Sequence, residues 1–310
     1  MRLSLSDLGT LAPRSKGRGL FASVEIFPQD LQLPPKNRTM RLEPPGTKSD
    51  LGAAFLVVEG PYMNPYSSLC DDFGVYVYLN TKMELPSGRE TVLHFFDSLQ
   101  KTFPQMTDFD RRETGEFVLE EDREKGSYRW VTLESQRICT GFVNPPSLED
   151  ADTQHERVLE LAPYHLDFSA LDCEAMDVLF AFDFVFTGNH DEVVAEALGL
   201  NTTLESLLQM PGSRVINYEP SLMLALDEAC RLQCRLSIET RTNAFQVRTG
   251  QFPESPISVY FTVRQYWGRQ PFKTFAESYQ NQRKICQELV DNHIIPAVVR
   301  PLAQTIAAKQ

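Results

Sequence analysis

The 310-residue chain has no apolar run near the roughly 20 residues that a membrane-spanning helix needs. Its longest, Val178 to Phe186, is about half that length and is interrupted by Asp183. It has no CxxC pair, and its six cysteines (Cys70, Cys139, Cys173, Cys230, Cys234 and Cys286) are spaced for neither a zinc site nor a disulfide framework. The five histidines form no HxH, HxxxH or HExxH spacing, so no local metal centre is implied. A GxSxG elbow, a Walker A loop and a dinucleotide-binding glycine fingerprint are all missing, and the sequence therefore implies no cofactor. Basic charge is scarce too. Thirty Lys and Arg against forty-two Asp and Glu give a net charge of −12, which argues against nucleic acid or an anionic membrane as a general partner. With no signal-peptide pattern and no cysteine pairing, the expected compartment is the cytoplasm.

What remains is a hydrophobic fraction of 42% and a charged fraction of 23%, those of an ordinary globular protein, with a length that fills about two domains or one large α+β domain. Residues 1–70 read as a proline-rich arm with edge strands. They hold eight of the twenty prolines, and the doublets Pro34-Pro35 and Pro44-Pro45 oppose helix. Such an arm is expected to lie on a neighbour, and its first 50 or so residues to be dispensable for folding.

Residues 71–170 read as a first α+β half. Val75, Val77 and Leu79 alternate with Tyr76, Tyr78 and Asn80, the period-2 signature of a strand. Val92, Phe95, Phe96 and Leu99 then recur at helical spacing. Strands over about 115–121 and 128–142 follow, and Ser147-x-x-Asp150 caps a second helix. Residues 171–310 repeat the order as a second half. Phe180, Phe182, Phe184 and Phe186 stripe one strand, a helix follows Gly188-Asn189, and strands come at about 214–227, 230–240 and 257–263. A long C-terminal helix begins near Lys273 and is interrupted at Pro296. The expected fold is thus α+β: a duplicated strand–helix–strand–strand–helix unit forming a twisted, mainly antiparallel sheet with helices on one face and a wetter second face.

The segment Ser15-Lys16-Gly17-Arg18-Gly19-Leu20-Phe21-Ala22 resembles the opening turn of SET-domain lysine methyltransferases. That family's Asn-His-Ser-Cys segment has no counterpart, since Asn189-His190 is followed by Asp191-Glu192, and no residue roles carry over. Asn189 to Glu192 read instead as a helix N-terminus, with Asn189 as the cap. His155 reads as a core histidine on the apolar side of its helix. Cys230 and Cys234 share a strand face with Leu232, Leu236 and Ile238 and read as core packing.

The polar strand positions carry the candidate ligand site: Arg235, Arg264, Tyr260 and Asp183, an anion-binding or base-stacking combination whose bland alternative is a solvated sheet face. Charge is also segregated. Residues 147–206 hold fourteen acidic groups against Arg157 alone, while residues 229–285 hold nine basic groups against three acidic ones. Such fields either meet within one molecule or steer association between molecules. The leading expectation is a non-enzymatic binding or assembly protein that self-associates, with Val298, Val299, Leu302 and Ile306 as spare apolar positions. The alternatives are a small-molecule enzyme or ligand-binding protein, using a cavity between the sheet and the C-terminal helix, and RNA binding on the arginine–tyrosine face.

Overall fold

The computed structural model describes residues 64–112, 115–199, 206–267 and 274–310. Residues 1–63 of the expected arm, with the Ser15–Ala22 turn, lie outside the described residues, as do the expectations attached to them; its last residues, 64–70, belong to the fold, with Tyr66 buried in the core. The described residues form an α+β fold on one nine-stranded antiparallel sheet. Strands β1 (Asp72–Thr81), β2 (Asp108–Arg111), β3 (Phe117–Glu120), β4 (Tyr128–Leu133) and β5 (Arg137–Val143) precede β6 (Cys173–Phe186). Strands β7 (Ser221–Ala225), β8 (Leu232–Glu239) and β9 (Ser255–Tyr266) follow it. The order across the sheet is β2-β3-β4-β5-β1-β6-β9-β8-β7. In each half the last strand returns beside the first, and β1 pairs with β6 at the centre. This is a likeness of topology and does not by itself establish a duplication.

The stretch expected as one strand over 128–142 is a hairpin, β4 and β5, turning at Glu134-Ser135-Gln136. The edge strand β2, with sequence Asp-Phe-Asp-Arg, is too short and polar to show a periodic signal.

Helix α1 (Arg89–Thr102) buries Val92, Phe95, Phe96 and Leu99. Helix α2 (Leu148–His165) starts at Ser147, whose Oγ accepts the Asp150 N–H at 3.1 Å, as the capping pattern requires. Helix α3 (His190–Leu198) is capped by Asn189, whose Oδ1 accepts the Glu192 N–H at 3.4 Å. A short α4 (Ala244–Thr249) precedes β9. The C-terminal helix runs without a break through α5 (Phe275–Leu289), a π-helical stretch (Val290–Val299) and α6 (Arg300–Lys309).

Pro296 therefore does not interrupt the helix. In an α-helix its ring would collide with the carbonyl four residues back; the wider π turn draws that carbonyl away and leaves the chain helical. Continuity turns the apolar side of this last stretch onto the core. Val298, Val299, Leu302 and Ile306 are buried there and offer no spare surface between copies.

One core lies between the sheet and its helices. Phe73 sits opposite Phe182 and Val75 opposite Phe180 across β1 and β6, and all four are at most 1% exposed. The Tyr66 ring lies 4.8 Å from that of Phe73 and 5.8 Å from that of Phe182, and its hydroxyl donates to Asp291 Oδ1 at 2.8 Å. The phenylalanine stripe is core along its whole length. Phe182→Ala should cost about 3–5 kcal/mol in a denaturant titration. A cost below about 1 kcal/mol would mean that the stripe is not packed.

His155 is also fully buried, as its place on α2 implied. Its ring meets Tyr279 edge-on at 5.5 Å, and neither ring nitrogen has a hydrogen bond of normal geometry. Burial lowers its pKa from 6.5 to about 4, while Asp152 and the Val75 backbone favour the charged ring more weakly. The unfolded chain takes up this proton near pH 6.5 and the folded chain only near 4, so the contribution to stability holds above 6.5 and falls away below it. Between pH 7 and pH 5 the protein should lose about 2 kcal/mol more stability than a His155→Leu variant. Identical pH profiles for the two in urea titrations would show that the ring is not held neutral.

Candidate functional site

The residues singled out by sequence all lie on the sheet face turned away from the core. Along β6, β9 and β8 they occupy four successive cross-strand rows. Arg264 is opposite Asp177, Arg235 opposite Thr262, Tyr260 opposite Ala181, and Asp183 opposite Ser258. From the row of Arg264 to that of Asp183 is six residues, about 20 Å of strand. They form a strip and do not converge on a point. The C-terminal helix packs on the opposite face, through Tyr279, Cys286 and Val290 among others. The strip therefore cannot line a cavity between that helix and the sheet, and this ligand-site geometry is corrected.

Arg264 is engaged within the fold. Its Nε and Nη2 donate to the two carboxylate oxygens of Asp177 at 2.5 and 2.7 Å, and both side chains are under 10% exposed. Burial alone would lower the guanidinium pKa, but the bidentate bond to Asp177 more than offsets this and holds it above its ordinary value. Tyr260 is 4% exposed, and burial pushes its hydroxyl up to about 12. Asp183 lies opposite Asp72 and in one row with Glu239, whose carboxyl burial also raises. Arg235 Nε donates to Ser221 Oγ at 3.2 Å.

The expected wetter face is thus largely buried along its centre, where Tyr76, Tyr78, Tyr128 and Trp130 are all under 10% exposed. Two glycines make room for this. A Cβ on Gly74 would collide with the Tyr76 ring, and one on Gly141 with the Trp130 ring, so both rings pack over bare backbone. Rings buried in this way do not present faces for nucleic-acid bases to stack on.

The charge segregation is answered within the chain as well. Asp177 from the acidic stretch meets Arg264 from the basic one, and Asp152 on α2 meets Arg283 on α5 at 2.8 Å. His190 and Asp191 act as a latch. His190 Nδ1 accepts the Arg241 N–H at 3.2 Å, and its Nε2 faces the Phe186 carbonyl at 3.1 Å. This assigns the proton to Nε2, and burial lowers the ring's pKa. Asp191 Oδ1 accepts from Tyr218 N and Thr240 Oγ1 at 2.7 and 2.8 Å. A groove of about 530 Å³ beside α3 is lined by Glu192, Glu196, Leu208 and Arg214 among others, and Glu196 pairs with Lys309 at 2.7 Å. No group of three or more potential metal ligands occurs among the described residues. No described helix is long and apolar enough to cross a membrane. Cys234 is buried as expected, but Cys230 is exposed in the turn before β8, at φ 53°, and is not core.

The feature that sequence reading missed is the β7 edge. Among the described residues, eight of the twelve exposed large apolar side chains lie between Leu207 and Leu226, and Leu222, Met223, Leu224 and Leu226 are 36–57% exposed. Beside them runs a strand edge that no other described strand pairs with. The Ile238 N–H bonds the Pro220 carbonyl, and the Leu226 N–H the Leu232 carbonyl, so even-numbered residues face β8. Ser221, Met223 and Ala225 consequently turn their N–H and C=O groups outward. An exposed, apolar, open edge is a template for a further strand.

No protein-family model matches the chain, and no curated protein does. Two crystal forms of alkyldihydroxyacetonephosphate synthase are similar at 11% identity, with TM-scores of 0.17 and 0.12. The alignments cover 78% of this chain and 44% and 43% of theirs, so it spans less than half their length. A likeness at that level carries no argument here.

The buried pair on the strip sets a stability test. Arg264→Met leaves the Asp177 carboxylate buried without its bidentate partner and should cost about 3–5 kcal/mol, whereas Asp177→Leu/Arg264→Met together should cost much less. Equal losses for the single and double variants in denaturant titrations would mean that the side chains pack but do not pair.

Proposed function

We propose that this chain is a non-enzymatic binding or assembly protein of the cytoplasm, acting by strand addition at the β7 edge. The observation that carries the reading is the coincidence of outward backbone groups with Leu222, Met223 and Leu224, all about half exposed. An edge of this kind left bare is an aggregation hazard, and a cover of regular backbone hydrogen bonds and apolar contacts removes it. The absence of any disulfide among the six cysteines supports a reducing compartment. The alternative of a ligand cavity has lost its polar lining to the other face of the sheet. RNA binding is disfavoured by the ion pair on Arg264 and by the burial of the aromatic rings.

Sedimentation from about 1 to 100 μM protein tests the reading, with association in the micromolar range expected. Association held by apolar surface persists from about 0.05 to 0.5 M salt, whereas charge-steered pairing weakens as the ionic strength rises. A monomer at every concentration and both salts would end the assembly reading.

A further inference from the structure

The β7 segment is Ser221-Leu222-Met223-Leu224-Ala225, close to a palindrome about Met223. An antiparallel strand pair about a two-fold axis through Met223 places Leu222 opposite Leu224 of the other copy, and Ser221 opposite Ala225. Leucines then meet leucines on one face, and the small side chains meet each other. The backbone agrees with this register. Residues 221, 223 and 225 carry the outward N–H and C=O groups, and they are the ones such an axis pairs with one another. Met223 would exchange two bonds with its own copy, and the Ser221–Ala225 pairs two each, giving about six in all.

From these two independent matches, side chain and backbone, we propose that the partner is a second copy of this chain, joined β7 to β7 with Met223 on the two-fold axis. The proposal rests on the strand-addition reading above and names its occupant. Pairing stops at the strand ends, where Glu219 and Asp227 would otherwise face each other with like charge. Both are already bound within the chain, Glu219 by the Thr240 N–H and Asp227 by the Arg231 N–H. Each copy's sheet would then continue into the other's as one twisted surface. The contact is isologous and needs no rearrangement of the subunit.

Cysteine cross-linking of the full chain tests the register, in a Cys230→Ser background that removes the one exposed thiol. Met223→Cys should oxidise to a covalent dimer, because a hydrogen-bonded antiparallel pair holds its Cα atoms about 5.5 Å apart, within disulfide reach. Ala225→Cys alone should not, because its counterpart lies about four residues along the strand, or 13 Å away. Mixed with Ser221→Cys, it should. Leu224→Lys, at a half-exposed position that the fold does not need, should raise the dissociation constant about tenfold with the circular dichroism spectrum unchanged. Self-cross-linking of Ala225→Cys as fast as Met223→Cys would overturn the register. Association undiminished by Leu224→Lys would overturn the surface while leaving assembly standing, and a monomer throughout would remove both.

Discussion

The packing of Phe73 against Phe180 and Phe182, where β1 meets β6, is the contact on which the rest of the structure depends. Without it each half would be a small sheet with an apolar face too narrow to hold its own helices. With it, β1 and β6 become the centre of one continuous floor. Tyr66 closes over the seam and binds Asp291, which ties the middle of the sheet to the π stretch of the last helix. Edge-on aromatic contacts of this kind add about 0.5–1.5 kcal/mol each beyond the area they bury. The segment before β1 and the segment after α5 are thereby drawn onto the same few rings.

The buried charges act on a different link of the chain of causes. A pair such as Asp177 and Arg264 adds little net stability, because desolvation offsets most of the attraction. What it does supply is register. A slip of β9 by one residue against β6 would turn the guanidinium into the phenylalanine core and leave the Asp177 carboxylate without its arginine on the other face. The long central strands β6 and β9 are apolar enough to slide, and this pair fixes where they stop. Asp152 and Arg283 do the same for α5 on α2.

Much of this architecture was legible in the residues. The alternation in β1, the phenylalanine stripe of β6 and the caps at Ser147 and Asn189 are local signals, and local signals are what a sequence displays openly. The turn at Glu134-Ser135-Gln136 lacks the glycine or proline that would announce it, so two strands read as one. Pro296 was misleading because the rule it invokes applies to α-helices, and the chain escapes it by widening its turns. Arg264 looked like a ligand group because its partner lies 87 residues away in sequence. The β7 edge was hidden for a related reason. Ser-Leu-Met-Leu-Ala is apolar on both faces and reads like an interior strand, and only the order of strands reveals that it has one neighbour among the described strands.

The two borders of the sheet are unlike. At β2 the edge is four residues long and carries Asp108, Asp110 and Arg111 at the surface, the charged guard that keeps one sheet from growing onto another. The β7 border has no such guard. A subunit with one open and one guarded border would have a valence of one: with β7 covered as proposed, the described sheet would present only its guarded ends. In the proposed dimer, growth by strand addition would stop at the first step, because no open apolar edge would remain among the described strands.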